Sequence, residues 1–178
     1  MATPTVPLNK IVAAGEPLVQ QLSIESGTNM YPGRLCVKGT ADTQTSVAGA
    51  AGDAIGWVGY EHTSPIYTEG HTEDTIYITG DECAVLFGGG FVINAGLANG
   101  QNVSKGARLV VAAAGELTVA TAATVTIASG STAVTSDKAQ PDEAVAGSVG
   151  AQGIVVAIAQ QSVNASGGAA DILVLSLI

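Results

Sequence analysis

The chain has 178 residues, 47% of them hydrophobic but only 12% charged, with six Lys and Arg against 15 Asp and Glu. A domain of about 150 residues buries roughly 68–70% of its unfolded surface, so a chain of this size needs neither a metal nor a disulfide to hold a core. The net charge of −9 and the absence of a basic stripe exclude a nucleic-acid surface, and aromatics at 4% leave few groups with which to do chemistry.

Residues 1–10, MATPTVPLNK, hold Pro4 and Pro7 and one Lys. Proline keeps such a segment out of helices and central strands, which predicts an extended N-terminal arm. It is neither a signal peptide nor a membrane span, which would need about 20 consecutive apolar residues. The protein is therefore expected to stay where it is made, with Cys36 and Cys83 reduced.

From residue 11 to 178 the chain reads as a single all-β domain. Glycine occurs 23 times, scattered, and each Gly inside a helix costs about 1 kcal/mol relative to Ala. Short runs rich in Val, Ile, Leu and Thr predict strands at RLCVKG, AIGWVGY, DTIYITG, CAVLF, FVINA, ARLVVAA, ELTVAT, TVTIAS, GIVVAIAQ and DILVLSLI. Many short strands at this spacing predict a small β-barrel or sandwich. In RLCVKG the alternation makes Cys36 a buried thiol, and in AIGWVGY it makes Trp57 a core residue.

The first polar interruption is YEHTSPIYTEGHTEDTIY, predicted to be an exposed loop over 61–74. Its His62 and His71 are nine residues apart across Pro65 and Gly70, without the short spacing that fixes metal ligands on one element, so no metal or other cofactor is expected. Next, GGG at 88–90 separates two strand runs and predicts a tight corner. A phosphate loop would need a following helix, which FVINAG is not. GDAIGWVG lacks the spacing and the βαβ setting of a dinucleotide site. There is no G-x-S-x-G elbow and no thiol in an electropositive setting. An enzyme is not expected. Residues 121–150, nearly all Ala, Thr, Ser, Val and Gly, read as an insertion: a hairpin and then a loose loop around Pro141 and Glu143.

The chain repeats itself. PGRLCVKGTADTQTSVAG (32–49) matches GARLVVAAAGELTVAT (106–121), and the continuation AAGDAIGWVGYE (50–61) matches GAQGIVVAIAQQ (150–161) beyond the insertion. Arg34 then aligns with Arg108, Leu35 with Leu109, Val37 with Val111, Val47 with Val119 and Gly56 with Gly153. Each half-unit would be a strand, a turn, a second strand and a Gly-led strand. Two such half-units are expected to close one compact barrel by pairing edges that neither protects alone.

YPGRLCVKGT, GGGFVINAGLANGQNVSKGARLVVAAAGELTVA, GIVVAIAQQSV and AADILVLSLI together resemble the small head-decoration, or structural cement, proteins of tailed phages. The resemblance covers most of the chain outside the 61–74 loop and the 121–150 insertion. It implies a virion structural protein, made in the host cytoplasm, that binds the outside of an assembled capsid and stabilises it. The implied partners are the major capsid protein of the same virus and further copies of the chain, as a homotrimer, with no nucleic acid and no membrane. On this reading Pro4, Val6, Pro7 and Leu8 of the arm and Tyr60 and Tyr67 of the loop make the capsid or subunit contacts. The rival readings are a self-assembling shell or fibre subunit, and a small-ligand or carbohydrate-binding β module stacking its ligand on Trp57, Tyr60 and Tyr67.

Overall fold

Apolar runs punctuated by Gly and Asp form strands throughout the computed structural model, which describes residues 11–25, 30–50, 53–59, 76–121 and 154–178. Thirteen strands lie among the described residues, with a single 3-10 turn at Ala113–Gly115. The expected all-β class is what the chain adopts.

β2 (Leu18–Ile24), β3 (Leu35–Lys38), β4 (Gln44–Val47), β5 (Gly56–Val58) and β6 (Glu82–Phe87) close into a barrel in the order β2-β4-β3-β5-β6 and back to β2. β7 (Val92–Leu97), β9 (Arg108–Val111), β10 (Leu117–Val119), β11 (Val155–Ala159) and β13 (Ala170–Ser176) close a second, in the order β7-β10-β9-β11-β13 and back to β7. Strand for strand the two orders are the same. In each, the first strand runs parallel to the third and every other pairing is antiparallel. A minor pairing is repeated too: Met30 bridges Tyr77 in the first barrel, and β8 (Asn102–Val103) pairs with β12 (Val163–Asn164) in the second. β1 (Val12–Ala14) lies along β7, outside the second ring.

The repeat read in the sequence is therefore structural, with β3, β4 and β5 answering to β9, β10 and β11. Two details differ. Each unit closes by itself, because the long β2–β6 and β7–β13 ladders, six residue pairs apiece, leave no need to borrow the other unit's edges. The alignment is also shifted by one residue across β3. Cys36 lies opposite Val47 as Leu109 lies opposite Val119, so Cys36, and not Leu35, takes the inner position in its barrel.

Leu35 points the other way for a physical reason. The first barrel is filled by Leu22, Ile24, Met30, Cys36, Val58, Tyr77, Cys83 and Val85. The alternate residues Leu35, Trp57 and Leu86 form a cross-strand row on its outer surface. That row is buried in a larger cluster with Ile93, Leu97, Leu109, Ile172 and Val174 of the second barrel. Both faces of β3 and β5 are thus covered, and one apolar core runs from the outside of one barrel into the inside of the next.

The corner at 88–90 is as tight as expected: all three glycines have positive φ (103°, 68° and 77°), where a side chain would be strained. The backbone N–H groups of Gly89 and Gly90 donate to the carbonyls of Ile178 and Ser176, tying the corner to the end of β13. Among the described residues DTIYITG contributes only the Tyr77 bridge, while β1, β2, β8 and β12 lie outside the predicted runs and β4 is anticipated only by the repeat. The arm (1–10), the 61–74 loop, the TVTIAS run and all of the 121–150 insertion except Thr121 lie outside the described residues.

Candidate functional site

The contact residues expected from the sequence, Pro4, Val6, Pro7, Leu8, Tyr60 and Tyr67, all lie outside the described residues, as do His62 and His71. Trp57 is fully buried (0% exposed), and its indole Nε1–H donates to Ser176 Oγ at 2.9 Å. This removes it as a stacking platform and leaves the ligand-binding reading without its central residue. Ser176, one of two buried polar residues among those described, passes the chain of bonds on by donating its hydroxyl to the Ile178 carbonyl at 2.7 Å. Both thiols are buried, as expected for Cys36. Among the described residues no three His, Cys, Asp or Glu gather where they could hold a metal.

Burial sets the chemistry of the Cys36 thiol. It pushes the Cys36 pKa up to about 11, and the Sγ–H donates to the Gly56 carbonyl at 3.4 Å. The thiolate is the reactive form, so Cys36 should not react with a thiol reagent at neutral pH until the protein unfolds. Time-resolved labelling with and without denaturant checks this; rapid native labelling at Cys36 would contradict the closed first barrel.

Two charged groups brace turns. Glu25, just past β2, accepts hydrogen bonds from the Ser46 and Thr40 hydroxyls and from the Thr40 N–H (3.1 Å), so the end of β2 holds the β3–β4 turn. The Ser46 hydroxyl first, and then Thr40, lower its pKa. A carboxylate with a lowered folded-state pKa adds stability that is present above its unfolded pKa and lost as pH falls through the folded value. Glu25→Gln should therefore lower the melting temperature at neutral pH and flatten its fall in acid; parallel acid profiles would contradict the brace. The second group is Arg34, which pairs with Glu116 between the two barrels, both side chains 21% exposed. Its guanidinium lies where a Cβ on Gly96 would stand, so Gly96 makes room for the ion pair.

Six of the eight exposed large apolar residues among those described fall in two places, and the other two, Ile55 and Ile154, directly precede β5 and β11. Leu18 (61% exposed) packs beside Gly88, and Leu177 (46%) beside Gly89, so both flank the glycine corner. Val19 (51%) continues the buried row Leu35–Trp57–Leu86 out into solvent. The second group is Tyr31, Ile76 and Ile78 around the Met30–Tyr77 bridge, whose antiparallel register sets Tyr31 opposite Ile76. Both are exposed apolar groups that sequence reasoning missed. The exposed apolar half of β2, directly after Pro17, was the available signal for the first.

No protein-family model matches the sequence, and no curated protein matches it either. Among solved structures, the chain is similar to the head fiber gp8.5 N base in bacteriophage phi29, with 12% identity, 89% of this chain and 94% of that one covered, and a TM-score of 0.46.

Proposed function

We propose that the protein is a capsid decoration, or cement, protein: a non-enzymatic virion component, made in the host cytoplasm, that binds the outside of an assembled phage-type shell. Its partners are the major capsid protein of the same virus and other copies of itself, with a homotrimer as the bound form. The observation that carries the reading is where its motifs fall. GGGFVINAGLANGQNVSKGARLVVAAAGELTVA supplies β7, β8, β9 and β10, GIVVAIAQQSV supplies β11, and AADILVLSLI supplies β13. Those three segments, distant in sequence, bond into one closed barrel, so they are parts of a single structural unit, while the fourth motif, YPGRLCVKGT, supplies β3 of the other barrel.

What remains suits packing more than chemistry. The described surface offers apolar residues at a glycine corner and beside a bridge, and the two barrels are locked by a shared core that gives a stiff body for loops to project from. The test is cosedimentation of the purified protein with shells assembled without it, against unassembled capsid subunits. Saturable binding to shells alone is expected. Binding to neither, with a saturable carbohydrate ligand found instead, would replace this reading with the ligand module. Large particles formed by the protein alone would replace it with the shell or fibre subunit.

A further inference from the structure

Among the described residues β2 has an open edge. Along one side all of residues 18–23 pair with β6. Along the other, β4 reaches only Ser23 and Ile24, because the chain turns away at the bend before Gln44. The direction of the free groups follows from the ladder: Ile24 N–H donates to Asp81 on the β6 side, while Ser23 N–H donates to Thr43 on the β4 side. Alternation then turns the N–H and C=O of Val19 and Gln21 away from β6, toward the open edge. Residues 18–21, Leu-Val-Gln-Gln, are all exposed and carry no charge, proline or bulge, the devices that ordinarily blunt such an edge.

We propose that this edge receives the N-terminal arm, residues 1–10, of a second copy of the chain. The place where the described chain begins argues for another copy's arm over its own. β1 sets Ile11 against Asn94 and Ala14 against Val92, so from Ala14 back to Ile11 it heads away from the glycine corner where its own β2 starts. The edge of β7 is closed to it beyond that point, since Gly96 N–H meets the Gly33 carbonyl and Leu117 pairs with Leu97.

Charge argues the same way. Residues 1–10 contain Lys10 and no acidic residue, whereas the rest of the chain sets 15 acidic groups against five basic ones (six less Lys10). Glu16 stands at one end of the open edge and Glu25 at the other. In a register that turns the N–H groups of Val6, Leu8 and Lys10 to β2, Pro7 faces outward, where its missing N–H is not needed, and Pro4, on the inward side, falls beyond the four open residues 18–21. Strand addition of this kind takes its affinity from main-chain bonds. Exchanged arms link copies head to tail and close a ring where the rotation allows.

This contact does not require a shell, so it stands or falls apart from capsid binding. Light scattering behind a sizing column would compare the full chain, a 2–9 deletion and Gln21→Pro, which removes an edge-facing N–H and no β2–β6 ladder bond. The full chain should be a discrete oligomer, and both variants monomers of about one chain mass with unchanged circular dichroism. As a check independent of the proline's effect on folding, Leu8→Cys and Gln21→Cys chains mixed and oxidised should give covalent heterodimers. A monomeric full chain, an oligomer that survives the deletion, or a mixture without cross-linked heterodimers would each overturn the proposal.

Discussion

Trp57→Ala should remove about 3–5 kcal/mol of stability, the range for truncating a large aromatic in a core that cannot collapse around the gap. The stability of a domain is about 5–15 kcal/mol in total, so this one change brings the protein close to unfolding. The size of the effect follows from position. Trp57 sits in the row with Leu35 and Leu86, on the outside of one barrel and within the core of the other, so its loss opens the seam between them. Trp57→Phe separates the two contributions: it keeps most of the volume but leaves Ser176 Oγ without its indole donor, at a cost of about 1 kcal/mol. Urea unfolding followed by far-UV circular dichroism measures both. A loss below about 1 kcal/mol for Trp57→Ala would mean that the barrels do not share a core.

Gly115→Ala should be nearly as damaging, for a backbone reason. Gly115 has φ +68°, and a Cβ built on it would stand 2.4 Å from the carbonyl oxygen of Leu35 and 3.0 Å from its nitrogen. Both neighbours are main chain of the first barrel, and neither can swing aside. The Gly115 N–H also donates to the Ala48 carbonyl at 2.8 Å, so the 3-10 turn of the second barrel is seated on β3 and the residue just past β4. Left-handed backbone costs an L-residue about 1–2 kcal/mol and overpacking about 1–3 kcal/mol more, some 2–5 kcal/mol together. Gly80→Ala is the control: its φ is +87°, but nothing lies within 4 Å of the added carbon. It should show the conformational part alone, about 1–2 kcal/mol. Equal losses for the two variants would remove the close approach of turn to strand.

The repeat was legible because it rests on local chemistry: a Gly-led turn, Arg-Leu-x-Val, and a Ser-Val or Thr-x-Val strand start recur and become β3, β4 and β9, β10. The one-residue shift at Leu35 was not legible. A strand with one wet face declares its inner side by alternation, but β3 carries Leu35 into the seam and Cys36 into its barrel, so both faces read as apolar. β2 was missed because Gln20 and Gln21 interrupt its apolar pattern; it is a strand because β6 pairs with it along six residues. Self-closure of each unit is a long-range property of the β2–β6 and β7–β13 ladders that no local window contains. Trp57 and Cys36 were read correctly from alternation, while the expected contact residues in the arm and loop lie outside the described residues.

The central claim is that the protein stabilises an assembled shell, and the most direct measurement is the melting of shells by calorimetry as the protein is titrated in. A ligand that binds only the assembled state stabilises it by about RT ln(1 + [L]/Kd) per site. The shell transition should therefore rise with protein concentration and keep rising after the sites fill, while the transition of unassembled subunits stays fixed. A shell transition that does not move when binding is saturated would contradict the account.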